Sequence, residues 1–179
     1  EYNGLKLMIA GDTLYGDDII ALYQRIQDHA LNSGQGSYRE LAILDDYVER
    51  ISSDIKLAHP MQIAIDCGNG VGGVIAGELF RRLGCNVTEL FCDVDGTFPN
   101  HHPDPSKPDN LRAICQQVVD QQLDLGLAFD GDADRMGLID DQGHVIWPDR
   151  QMMLYAEDVL SRNPGAQIIY DIKSSSHLG

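Results

Sequence analysis

From Met61 onward the sequence alternates short apolar runs with amphipathic stretches, and turn residues mark each change. "MQIAID" reads as a strand and "CGNGVGG" as the turn after it. "VIAGELFRRLG" has helical spacing and stops at Gly84, a residue suited to closing a helix. "CNVTELFC" is the next strand, and residues 93–108 form a loop rich in Pro, His and Asp. Residues 109–122 have the pattern of a helix, with Pro108 suited to its first turn. "LDLGLAFD" is a strand; "RMGLID" and "HVIWP" read as a hairpin around Asp141-Gln142-Gly143. A helix over 149–161 and a last strand, "QIIYDI", follow. Strands that alternate with helices must bury both sheet faces. The expected fold is therefore α/β in three layers, a mixed, mostly parallel sheet with helices on both faces.

Ahead of Met61 the pattern is looser. Residues 5–10 predict a short strand. Residues 17–31 predict a helix carrying Ile19, Ile20, Leu22, Tyr23 and Ile26, and "NSGQGS" is the best linker. A second helix is predicted over 38–57, with Leu41, Leu44, Val48, Ile51 and Ile55 on one side and Pro60 closing it. Both ends of the chain lie close to strand-like runs, so the 179 residues are expected to be part of a longer enzyme.

Charge narrows the function. The chain has 28 acidic and 13 basic residues, a net charge of −15. Nucleic-acid and anionic membrane partners both need a basic footprint and are excluded as expectations. A phosphorylated ligand would need a metal ion, backbone N–H groups or a few well-placed bases. The four cysteines contain no C-x-x-C pair, so reduced, buried thiols in a cytoplasmic protein are expected. No apolar run is long enough to span a bilayer.

Ligands of α/β sheets collect at the carboxyl ends of strands, and three loops there carry chemistry. "GNGVGG" fits G-x-G-x-x-G at Gly68, Gly70 and Gly73, with Asp93 where a ribose-binding acid would be sought. Asp66 would set a negative charge near a pyrophosphate, which weakens the dinucleotide reading. "DVDGT" resembles the nucleophile loop of haloacid-dehalogenase-type phosphatases, with Asp93 attacking phosphorus and Asp95 protonating the leaving group. Met136 stands where that class needs a late acid. "DGDADR" puts Asp130, Asp132 and Asp134 at alternating positions of a tight loop, and three such anions favour a cation. Oxygen-only ligands indicate a hard ion, Mg²⁺ ahead of Ca²⁺ and Mn²⁺. Arg135 stands where an EF-hand needs Gly, and the flanks are strands, so that comparison fails. A base beside three acids points to a bound anion as well as a cation, and so to phosphoryl transfer.

With these loops taken together, the chain resembles the α-D-phosphohexomutases, closest to their bacterial phosphomannomutase/phosphoglucomutase branch. The resemblance rests on "YNGLK" (residues 2–6), "DCGNGVGG" (66–73), "VDGTFPNHHPDP" (94–105), "DGDADR" (130–135), "PDR" (148–150) and "DIK" (171–173). It absorbs both "GNGVGG" and "DVDGT", and leaves a phosphatase using Asp93 and Asp95 as the alternative.

The resemblance implies an enzyme of four domains around a cleft. A phosphoserine of its first domain exchanges a phosphoryl group with the 1- and 6-positions of hexose phosphates, mannose or glucose, through a hexose 1,6-bisphosphate. It implies Mg²⁺ on Asp130, Asp132 and Asp134, and Arg135 on phosphate or sugar. Lys6 would sit near the reacting groups, and Lys173 would contact substrate. Residues 1–41 would be the end of domain 1, 42–144 the metal-binding domain 2, and 145–179 the start of domain 3. The phosphoserine loop and the rest of domains 1, 3 and 4 would lie outside this chain, which would be inactive alone and bind Mg²⁺ weakly. Ala133 replaces a Gly common in the family, and His101 and His102 are expected to hold their loop by hydrogen bonds.

Overall fold

The structure is a computed structural model that describes residues 5–178. Residues 2–4 of the "YNGLK" stretch lie outside the described residues. The chain divides into two compact units, Glu1–Ala42 and Ile43–Gly179.

In the first unit, β1 (Met8–Ile9) pairs antiparallel with β2 (Asp12–Thr13). The strand predicted over 5–10 is thus only two residues long. Ala10 and Gly11, with φ 53° and 94°, turn the chain back on itself, the left-handed pair a two-residue hairpin needs. Helix α1 (Asp17–Gln27) follows, with Asp17 and Asp18 favourably placed in its first turn. No residue of α1 is buried.

In the second unit, α2 spans Leu44–Ser52, much less than the predicted 38–57. Tyr38 and Leu41 are exposed, whereas Val48 is 1% exposed, so packing holds only the central turns. The sheet has five strands in the order β4-β3-β5-β6-β7. These are β3 (Gln62–Asp66), β4 (Asn86–Leu90), β5 (Leu125–Phe129), β6 (Met136–Ile139) and β7 (Val145–Ile146). Pairing is parallel across β4-β3-β5 and antiparallel across β5-β6-β7. The hairpin around residues 141–143 forms as predicted.

Helix α3 (Ala76–Arg82) is preceded by a 3₁₀ turn at Val71–Val74, and α4 (Arg112–Asp120) by one at Pro108–Leu111. Alternation along β3 and β5 divides the core between the two sheet faces. Ile63, Ile65, Cys67 and Leu127 pack with Ala76 of α3, while Ala64, Ala128 and Ile139 pack with Ile114 and Val118 of α4. Helices therefore cover both faces, as the α/β expectation requires. Helix α5 spans Pro148–Arg162, with Pro at its start.

The predicted strand "QIIYDI" is a correction. Residues 167–172 have no regular structure, and Ile169 and Ile172 are 89% and 98% exposed. Among the described residues no strand lies beside this segment to take up its backbone groups, and an isolated strand is not stable in water.

Candidate metal centre

Strands β5 and β6 pair Phe129 with Met136, so residues 130–135 form the connecting loop at the carboxyl end of β5. The loop is closed by backbone bonds from Asp130 N to Arg135 O (3.2 Å) and from Ala133 N to Asp130 O (3.1 Å). Ala133 carries φ 60°, a left-handed turn that accounts for a small residue at this position. The tight wrap brings carboxylate oxygens of Asp130, Asp132 and Asp134 within 4.8 Å of one another. Together the three could hold a metal ion.

Asp130 is 1% exposed, while Asp132 and Asp134 face solvent. Burial pushes the Asp130 carboxyl up, but Arg135 outweighs it. The Arg135 amide (3.0 Å to Oδ1) and its Nε (2.7 Å to Oδ2) leave Asp130 below the usual carboxylate range. Asp130 in turn holds the guanidinium firmly charged. Arg135 also faces Asp134 at 3.7 Å and Asp104 at 3.8 Å. Each Asp130 oxygen retains a lone pair beyond the one Arg135 uses.

A second loop seats the first. Gly70 lies so close to Gly131 that a Cβ would meet Gly131 O at 2.7 Å, and the Val71 amide donates to that same oxygen at 3.0 Å. Gly73 packs on the backbone of Cys92, where a Cβ would sit 1.9 Å from its carbonyl oxygen. The glycines of "GNGVGG" therefore admit protein backbone, and the dinucleotide reading loses its physical basis.

The 93–108 loop is tied in by His101, as expected from the sequence, and by Asp66, Asn69 and Asp104, to which the sequence assigned no such role. Asp66, 1% exposed at the end of β3, accepts from the Gly68 amide (2.8 Å) and faces His101 Nε2 at 3.1 Å. Burial pushes its carboxyl up, against smaller lowering effects from Gly68 and His101. His101 Nδ1 lies 3.0 Å from the His102 carbonyl, which also accepts from the Asp104 amide (2.8 Å). Asn69 donates to Asp93 O at 2.7 Å. Asp95 accepts from the amide and hydroxyl of Thr97 (2.9 and 2.7 Å), so this carboxylate closes a turn. The signal for Asp104 was its place in "HHPDP", but only the fold sets it opposite Arg135.

Lys6 is exposed just ahead of β1, in the other unit. Lys173 is exposed in a turn near the end of the chain, where its ammonium lies 3.7 Å from Asp171. The structure thus gathers Asp130, Asp132, Asp134 and Arg135, and does not bring Lys173 into that group.

A mixed α/β/α layer that carries an acidic, metal-competent loop between β5 and β6 defines the class of domain, and comparison narrows it. Residues 45–143, more than half of the chain, match the model of the phosphoglucomutase/phosphomannomutase alpha/beta/alpha domain II. The chain belongs to the phosphoglucomutase/phosphomannomutase family. It is 52% identical over 178 residues to a phosphomannomutase/phosphoglucomutase of Pseudomonas aeruginosa, covering 99% of this chain and 38% of that protein. It is 54% identical over 177 residues to a phosphoglucomutase of Neisseria meningitidis, with 98% and 38% covered. A crystal structure of a phosphoglucomutase/phosphomannomutase family protein from Burkholderia thailandensis superposes with a TM-score of 0.86 at 51% identity, over 97% of this chain and 38% of that one. The chain thus spans 38% of the length of these relatives. No helix among the described residues is long and apolar enough to cross a membrane.

Proposed function

We propose that this chain is the metal-loop portion of an enzyme that moves a phosphoryl group between the 1- and 6-positions of hexose phosphates, mannose or glucose, through a hexose 1,6-bisphosphate. The observation that carries the reading is the convergence of Asp130, Asp132 and Asp134 beside Arg135, in a chain of this family.

The donor set suits Mg²⁺. Three carboxylates within 4.8 Å of one another offer the hard oxygen donors that Mg²⁺ takes. When bound, Mg²⁺ would neutralise charge on the phosphate. Asp130, Asp132 and Asp134 would hold it. Asp130 orients Arg135, which offers the outer nitrogens of its guanidinium to a phosphate or sugar oxygen. Lys6 would act near the reacting groups and Lys173 on substrate. Residues 1–41, 42–144 and 145–179 would belong to successive domains, and the first of these domains would supply the phosphoserine. Four free cysteines suit a cytoplasmic setting.

The test is conversion of glucose 1-phosphate or mannose 1-phosphate to the 6-phosphate by the enzyme carrying this chain. Asp132→Asn is expected to lower kcat by about 100-fold or more with Tm unchanged, because Asp132 is exposed. Near-normal turnover would overturn the metal assignment. A variant at Asp93 that alone removed all activity would favour the phosphatase reading. The 179-residue chain by itself is expected to show no turnover.

A further inference from the structure

Two thiols that the mutase reading does not use lie against each other beneath the acidic loop. Cys67 follows β3 and Cys92 follows β4, and their sulfurs are 3.5 Å apart. Strand alternation alone would not pair them. Val87 packs on the α3 face of the sheet and Leu90 on the α4 face, so a regular strand would turn Cys92 toward α4. Instead Phe91 adopts φ 51°, a left-handed conformation that costs a bulky side chain of order 1 kcal/mol or more. This twist returns Cys92 to the α3 face, where it packs with Cys67.

The pair also has the electronic asymmetry of a reactive dithiol. Cys92 is the more exposed partner, and its contact with the Cys67 sulfur holds its thiol below the ordinary value despite burial. That same contact, followed by burial, pushes the Cys67 thiol up. Directly above lies the glycine turn. A Cβ on Gly72 would be 3.7 Å from Cys67 Sγ and 3.3 Å from the Cβ of Ala133, and Gly73 rests on Cys92 O.

We propose that Cys67 and Cys92 are a hydroperoxide-oxidisable pair that closes to a disulfide and, in closing, shifts the glycine turn on which the acidic loop is seated. Cys92 Sγ attacks one oxygen of the peroxide as its O–O bond breaks. Cys92 becomes a sulfenic acid, and the departing hydroxide takes the thiol proton and leaves as water. Cys67 Sγ then attacks Cys92 Sγ. The S–O bond breaks, and hydroxide leaves with the Cys67 proton as a second water. The two sulfurs together lose two electrons and the peroxide gains them. A disulfide bond is about 2.05 Å long, so the sulfurs must close by about 1.5 Å. Gly72 lies against Cys67 Sγ and Gly73 against the Cys92 carbonyl, so this movement is carried to the turn. This inference does not depend on the mutase reading.

The reduced 179-residue chain is treated with hydrogen peroxide, its remaining thiols are blocked with N-ethylmaleimide, and its disulfides are mapped by mass spectrometry. One linked peptide pair, Cys67 with Cys92, is expected. Cys85 and Cys115 should stay alkylated, and dithiothreitol should reverse the link. Linkage through Cys85 or Cys115, or four alkylated thiols after treatment, overturns the assignment. Mapping on the unsubstituted chain needs no variant to fold. Cys67→Ala adds a second readout, since Cys92 should then be trapped as a sulfenic acid by dimedone. Amide hydrogen exchange in segments 68–75 and 130–136 should be severalfold faster in the disulfide form. Unchanged exchange in both would overturn the link to the acidic loop.

Discussion

Gln62-Ile63-Ala64-Ile65-Asp66 and Gln167-Ile168-Ile169-Tyr170-Asp171 are near twins in sequence, and the structure treats them oppositely. The first is β3, paired on both sides, with Ile63, Ala64 and Ile65 at most 1% exposed. The second has no regular structure, and Ile169 is 89% exposed. Their terminal aspartates differ in the same way. Asp66 is buried against Gly68 and His101, whereas Asp171 is exposed and caps a turn through the Lys173 amide. Strand propensity therefore acts only where neighbours exist to take the backbone bonds and cover the side chains. What a carboxylate does depends likewise on what the fold sets beside it.

The most direct way to break this comparison is to truncate one isoleucine in each segment. Ile65→Ala leaves a hole in the α3-side core and is expected to cost about 2–5 kcal/mol in urea unfolding. Ile169→Ala should fall within about 0.5 kcal/mol of the unsubstituted chain. Equal losses would mean that the two segments are equally packed. The aspartates give the next largest contrast. Asp66→Ala strands a buried amide and the His101 ring, and should cost about 3 kcal/mol. Asp171→Ala removes an exposed ion pair worth less than about 1 kcal/mol. If Asp66→Ala were as mild as Asp171→Ala, the Asp66–His101 contact would not hold the 93–108 loop.

A second contrast runs along the carboxyl edge of the sheet. Asp66 and Asp130 are both 1% exposed, yet their carboxyls are pushed in opposite directions. Burial prevails at Asp66, whose folded-state value is raised. At Asp130 burial is outweighed by Arg135, and the value is lowered. The Asp130 contribution to stability is therefore full above the ordinary carboxyl value of 3.8 and is lost as pH falls through the depressed folded value. The Asp66 titration favours the folded state at low pH, and that contribution is lost as pH rises from 3.8 through its raised folded value. Asp130→Asn should accordingly flatten the fall in urea midpoint between about pH 6 and pH 3, and Asp66→Asn should steepen it. Slopes changing in the same direction would mean that Arg135 does not stabilise the Asp130 carboxylate.

Much of this was legible before any coordinates. The alternation after Met61 yields the layers, because each apolar run there meets a neighbour within the chain. The spacing of Asp130, Asp132 and Asp134 suffices to bring them together, because a six-residue loop between paired strands leaves little choice. Contacts between loops distant in sequence were not legible. Asp66 meets His101 across 35 residues and Asn69 meets Asn100 across 31, and no local pattern encodes either. The extents of α2 and of the first and last predicted strands were misjudged for one shared reason. Propensity was present there, but burial was not: Tyr38, Leu41, Met8 and Ile169 are all exposed.

The smallest expected effect lies in the acidic loop itself. Ala133 holds φ 60°, which costs a residue with a Cβ about 1–2 kcal/mol. Glycine removes that cost but adds about 0.5–1 kcal/mol of unfolded-chain entropy. The Cβ of Ala133 also has a neighbour to lose, since it approaches the site of a Cβ on Gly72 at 3.3 Å. Ala133→Gly should therefore raise stability by only about 0.5 kcal/mol. Ala166, which has an ordinary negative φ in the irregular segment before Gln167, provides the control. Ala166→Gly adds the same entropy without relieving strain, so it should lower stability by about 0.5 kcal/mol. Opposite signs at the two alanines would show that the acidic loop is held in its turn by the packing around it. A loss at both would mean that the loop relaxes out of the left-handed conformation in solution.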